Sequence, residues 1–173
     1  MSMEHYRAAQ KAGKKDLQTR TSQKLPVEMP ALDTILEHVD ISGEVPLGLV
    51  DIPTELIVGT KTCGRGSSFA PNFMPILGES TEFAAKWSSL CDAHLKEGIR
   101  DPIVAYEYMN HYYIQEGNKR VSVLKYFDAI SIPGYVTRII PAREDTPESR
   151  IYYEFLDFYN ATNINYLFFS KEG

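Results

Sequence analysis

The chain has 173 residues, 43% of them hydrophobic and 24% charged, with a formal net charge of −5. That is enough chain for one domain with a substantial core, in the range of ordinary globular proteins. No apolar run is long enough for a transmembrane helix, and the first residues lack the apolar stretch of a secretory signal. Two cysteines, Cys63 and Cys91, make no disulfide framework and predict a cytoplasmic protein with reduced thiols.

The charge is unevenly spread. Residues 1–24 hold six Lys or Arg against Glu4 and Asp16, a net of +4, which leaves −9 for the remainder of a chain that totals −5. An acidic body argues against a broad nucleic-acid surface, whereas a basic arm could touch DNA or an acidic partner. His5 to Gln18 has helix-forming composition but a thin apolar face, so it is expected to form a solvated, partly helical tail or to fold only when docked. Residues 1–44 are thus taken as a basic helical arm and linker. Leu25 to Pro30 is extended by its prolines, and Ala31 to Val39 places Leu32, Ile35, Leu36 and Val39 at helical spacing.

Val45, Leu47, Leu49 and Ile52 alternate as a strand would, and Pro53 opens a turn. Gly59 to Ser68 breaks all periodicity. Its glycines and hydroxyls, with Lys61 and Arg65 among them, suit a loop that folds N–H groups around an anion. Thr62, Gly64, Arg65 and Ser67 are its candidate binding residues, although the P-loop spacing is absent. Cys63, between the two cations, is weighed as a redox-sensing thiol.

Phe69 to Leu77 carries two prolines and predicts an irregular covering segment. Glu79 to Glu82 opens a helix whose apolar stripe runs through Phe83, Trp87, Leu90 and Cys91 and ends at Gly98. Pro102 to Tyr106 reads as a strand, Met109-Asn110 as a turn, and Tyr112 to Glu116 as a second strand. Next come Gly117, Asn118, Lys119 and Arg120, then a helix from Val121 to Phe127.

A strand that ends in Gly and turns at once into a helix leaves backbone N–H groups free, and these attract an anion together with the helix dipole. Lys119 and Arg120 add full charges at that corner, and Asn118 is read as the helix cap. Ile132 to Ile140 is a further strand. Pro141 to Pro147 connects it to a helix over Glu148 to Thr162. The aromatic face of that helix (Tyr152, Phe155, Tyr159) must pack on the body, a partner or a second subunit. Asn163 to Phe169 is apolar again.

This order of elements resembles the N-terminal domain of the ParB/sulfiredoxin superfamily, also called the ParB-like nuclease domain. That family has a helix, a Pro-Ile-Val strand, a hairpin and a Gly-Glu-Arg-Arg or Gly-Cys-His-Arg corner, followed by a helix and a strand. The matching residues here are Pro102-Ile103-Val104, Gly117-Asn118-Lys119-Arg120 and Ile132-Pro133-Gly134-Tyr135-Val136. The resemblance spans residues 45–141, with 142–173 as an aromatic helix and tail that could lead to further domains. It implies an α+β fold, a small mixed sheet flanked by helices.

The resemblance also implies binding of a nucleoside triphosphate, CTP or ATP with Mg, held by Gly117, Asn118, Lys119, Arg120, Arg65, Thr62, Gly64 and Ser67. The expected role is a nucleotide- or phosphate-binding regulatory module of a DNA-associated protein, with DNA contacted through regions outside this chain and no membrane partner. Sulfiredoxin chemistry is excluded, because Asn118 stands where that family has its nucleophilic cysteine. One alternative is a metal-dependent nuclease or triphosphate hydrolase, for which Glu107, Glu116, Glu144 and Asp145 are the carboxylates near the corner. The other is an interaction or homodimerisation module built on the aromatic helix. The histidines show no ligand spacing, so no metal site is expected.

Overall fold

The computed structural model of the chain describes residues 3–144, 146–163, 165 and 166. Five strands make one mixed sheet: β1 (Ile41–Pro53), β2 (Ile57–Thr60), β3 (Ile103–Tyr108), β4 (His111–Glu116) and β5 (Ser131–Pro141). Their spatial order is β1-β5-β3-β4-β2. β1 runs antiparallel to β5 and β3 antiparallel to β4, while β3–β5 and β2–β4 are parallel. The helices are α1 (Glu4–Ser22), α2 (Leu32–Ile35), α3 (Glu82–Glu97), α4 (Asn118–Tyr126) and α5 (Pro147–Thr162). The fold is α+β, a five-stranded mixed sheet flanked by helices.

The parallel β3–β5 pair explains the placement of α4. Parallel neighbours need a crossover, and the stretch from β4 through α4 to β5 supplies it. The hairpin between β3 and β4 turns on Met109 and Asn110, both left-handed at φ 50° and 64°. This geometry matches the twist of the two strands. Neither residue is glycine, and the Asn110 N–H finds compensation in a 2.6 Å bond to Glu107 Oε1.

The main core gathers Ile52, Ile103, Ile114 and Ile132 of the sheet under Phe73 and the Val121 and Leu124 side chains of α4. A second cluster joins α1, α3 and α4 through Tyr6, Ala9, Trp87, Cys91 and Val123. There the Trp87 indole donates to Ser122 Oγ at 2.8 Å, so a buried N–H is satisfied. Cys91 is core filler, as its place on the α3 stripe predicts. α3 starts on Thr81, whose hydroxyl accepts from the Ala84 N–H at 3.2 Å, and Gly98 closes it.

Two expectations change. Along β1, Leu49 is 60% exposed, while Val50 and Ile52 are buried. The register slips between Pro46 and Gly48, and Gly48 is left-handed at φ 74°. A bulge of one residue moves every later side chain to the opposite face. Of the two forms expected for the N-terminal helix, the solvated tail gives way to the docked one. Tyr6 and Ala9 have no exposed surface, and the Tyr6 hydroxyl donates to Leu77 O at 2.6 Å. The covering segment 69–77 supplies the partner surface that a thin apolar stripe needs. Lys11, Lys14 and Lys15 remain exposed.

α5 packs on the body of the protein. Thr146 caps it, and Tyr152 and Phe155 are buried. Most of the apolar segment Asn163 to Phe169 lies outside the described residues. Among the described residues no helix is long and apolar enough to cross a membrane.

Candidate functional site

The corner between β4 and α4 is forced by one residue. Gly117 sits at φ 105° and ψ 26°, a left-handed conformation costly for side-chain-bearing residues. A Cβ built there would lie 2.7 Å from Ile103 Cγ2 and 3.1 Å from Arg120 Nη2. Conformation and space therefore both demand glycine. The Val121 N–H donates to Gly117 O at 2.9 Å, so Gly117 is the cap position of α4. This corrects the reading of Asn118 as the cap. Asn118 is the first helical residue, and its Oδ1 is buried without a hydrogen-bond partner. A glycine cap has no side chain to offer the first turn, and no side-chain cap is present. The N-terminal N–H groups and the dipole of α4 thus act on whatever lies in front of them.

Arg120 is stapled to the approach of β3. Its Nη1 donates to Asp101 O and Pro102 O, each at 3.1 Å. Both acceptors are neutral carbonyls, so the guanidinium keeps its charge unpaired and its Nη2 stands over Gly117. Lys119 lies 5.7 Å from the centroid of the Phe83 ring. The nearby Glu82 carboxylate is held at 3.0 Å by Lys86 instead.

Arg65 reaches the same place from the glycine-rich loop. Arg65, Lys119, Arg120 and Gly117 line one cavity of about 680 Å³, and the exposed Asp101 and Glu116 line it with them. Among the described residues, none of these three cations forms an ion pair.

The rest of the loop goes elsewhere. Gly64 and Ser67 line a separate cavity of about 460 Å³ with Leu17, Met29 and Cys63. Ser67 Oγ is spent on Gly64 O at 2.9 Å. Thr62 is exposed and lines neither cavity, and its carbonyl accepts from Thr60 Oγ1 at 3.0 Å. The Lys61 ammonium turns away to pair with Asp33 of α2 and lies 5.1 Å from the Tyr106 ring centroid. Of the loop residues singled out by sequence, the structure brings Arg65 to the corner and leaves Thr62, Gly64 and Ser67 apart from it.

A buried ion pair escaped the sequence reading. Glu107 of β3 and Arg138 of β5 face each other across the parallel register, 0% and 2% exposed. Arg138 Nε donates to Glu107 Oε2 at 2.7 Å, and the Tyr152 hydroxyl of α5 reaches both carboxylate oxygens at 2.9 and 2.7 Å. Arg138 Nη2 also donates to Asn165 O at 2.9 Å. Burial pushes the Glu107 carboxyl up, while Arg138, Tyr152 and the Asn110 N–H pull it back.

The signal for this pair lay in strand parity. Ile103, Ala105 and Glu107 share one face of β3, and Val136 and Arg138 share one face of β5, so two opposite charges occupy inward positions of neighbouring strands. With its oxygens occupied, Glu107 is withdrawn as a metal-ligand candidate. Asp145 lies outside the described residues. Among the described residues, no group of three His, Cys, Asp or Glu side chains could hold a metal.

No family model and no curated protein matches the chain. Among solved structures, the crystal structure of sulfiredoxin from Arabidopsis thaliana is similar. It shares 20% sequence identity with a TM-score of 0.36, covering 51% of this chain and 82% of that one. The site rests on the geometry above.

Proposed function

We propose that the β4–α4 corner binds a phosphate-bearing ligand, and that the chain acts as a regulatory binding module for a nucleoside triphosphate. One observation carries this reading: Arg65, Lys119, Arg120 and the uncapped start of α4 converge on one cavity, and among the described residues none of the three cations is within ion-pair distance of a carboxylate. Phosphate oxygens are strong acceptors, and arginine can grip them with two parallel bonds. Arg120 is oriented by Asp101 O and Pro102 O before any ligand arrives, which lowers the ordering cost of binding. Asp101 and Glu116 would repel a bare triphosphate but suit one that carries magnesium. Binding is preferred to nuclease or hydrolase chemistry because Glu107 is consumed by Arg138 and Tyr152, which leaves Glu116 as the one carboxylate of that candidate set in the cavity wall among the described residues.

The test is calorimetric titration with ATP and with CTP, each with magnesium. Two charge-assisted contacts at about 1.5 kcal/mol apiece predict that Lys119→Ala/Arg120→Ala weakens binding roughly 100-fold. Equal affinity for wild type and the double variant, with both folded by circular dichroism, would defeat the proposal.

A further inference from the structure

The outer face of α1 carries cations that the fold does not use. Lys11, Lys14 and Lys15 are exposed, and helical geometry places them within roughly 100° of the circumference over about 6 Å of axis. Among the described residues none of the three is in an ion pair. The nearby acids are directed elsewhere. Asp16 turns inward, where its carboxylate accepts from Arg20 Nε at 3.0 Å and from the Asn72 N–H at 3.1 Å. Glu4 lies about 10 Å of axis before Lys11, and Arg7 holds the Glu79 carboxylate at 2.6 Å. The helix that presents the lysines is fixed to the body. The Tyr6 hydroxyl and Gln10 Nε2 donate to Leu77 O at 2.6 and 2.8 Å, and a Cβ on Gly13 would lie 2.5 Å from Pro75 O.

Three kinds of polyanion would answer this charge, and they make different demands. A lipid surface takes up the apolar side of a basic helix, but Tyr6, Ala9 and Gly13 of α1 are already buried against the body. A stable protein interface needs large apolar or aromatic anchors at its centre. From Arg7 to Ser22 the exposed residues are Arg, Lys, Ala, Gln, Thr and Ser alone. A nucleic-acid backbone needs no such anchor. It asks for cations and polar donors on one accessible face, and a duplex presents a negative charge every ~1.7 Å of its axis. We infer that this face of α1 binds the phosphodiester backbone of double-stranded nucleic acid through Lys11, Lys14 and Lys15, without reading its sequence. Gln18, one turn beyond Lys14, adds an exposed amide to the same face. The acidic remainder of the chain confines the contact to this helix and makes it weak and salt-dependent. The surface is independent of the β4–α4 corner.

The experiment titrates the whole chain into a short fluorescent DNA duplex of random sequence and follows anisotropy. Three phosphate contacts give a log–log salt slope of about −2.7, so affinity should fall roughly 40-fold between about 50 and 200 mM salt. Lys11→Gln/Lys14→Gln/Lys15→Gln should bring the slope near zero and weaken binding at the lower salt by at least ~10-fold, with circular dichroism unchanged. Lys86→Gln/Lys96→Gln/Arg150→Gln removes the same charge elsewhere and should keep the affinity within about threefold of wild type. Poly-glutamate should bind more weakly than the duplex, because its charges are more widely spaced. No binding at the lower salt, an equal loss in the two triple variants, or tighter binding of poly-glutamate than of DNA overturns the inference.

Discussion

Two arginines of this chain sit in opposite circumstances. Arg138 is sealed under α5, held by Glu107 and Asn165 O, with Phe155 and Tyr159 rings against its guanidinium. Arg120 is bound only to backbone carbonyls and looks into an open cavity. The same side chain is structural in one place and available in the other, and its partners decide which. A buried charge paired with a carboxylate is part of the fold, whereas a charge held by neutral carbonyls at a helix start keeps its field for a ligand.

Breaking the closed region should have the largest effect. Arg138→Ala leaves Glu107 buried and unpaired, and urea denaturation should show a loss of about 3–5 kcal/mol. A loss under about 1 kcal/mol would mean that the pair is not sealed.

Lys125 lies between the two extremes, partly buried and without an acid. Its folded pKa is depressed, so the unfolded chain binds the extra proton between pH 8 and 10.5, and stability rises with pH through that window. Between about pH 7.5 and 9.5 the gain should be about 2 kcal/mol. The Cys91 thiol and the buried tyrosines, whose folded pKa values are raised, act in the opposite direction toward the top of this range, so the gain is read as the difference between wild type and Lys125→Met. Denaturation curves for Lys125→Met should lack the rise, and a wild-type slope in that variant would assign it to another group.

At the corner, Gly117→Ala forces a left-handed alanine against Ile103 and should cost at least ~1 kcal/mol. Lys119→Ala should change stability by no more than about 0.5 kcal/mol, since its ammonium touches only an aromatic ring at the surface. A large loss on removing Lys119 would place it with Arg138 as a structural cation.

What the sequence made legible were the local features. A strand closed by Gly117, a turn at Met109-Asn110, and α3 bounded by Thr81 and Gly98 each depend on a few consecutive residues. The hidden features depend on distant ones. Glu107 meets Arg138 only because β3 and β5 are parallel neighbours in one register. Lys61 turns toward Asp33, which a reading of the loop alone does not contain. The bulge at Pro46 and Gly48 inverts the buried side of β1, and alternation counted straight through it misplaces Leu49. At the corner, glycine and two cations were legible, but the cap was assigned one residue too late. Gly117 has no side chain to announce a cap, while Asn118 has one that suggests it.

The central claim concerns backbone N–H groups and side chains at the start of α4, and amide NMR observes those groups directly. Titration of the labelled chain with magnesium ATP should move the Gly117, Asn118, Lys119 and Arg120 amides together and saturably, leaving the Glu107 and Arg138 amides in place. Lys119→Ala/Arg120→Ala should suppress the movement. Saturable shifts elsewhere with the corner amides still, or none at all, would contradict the account.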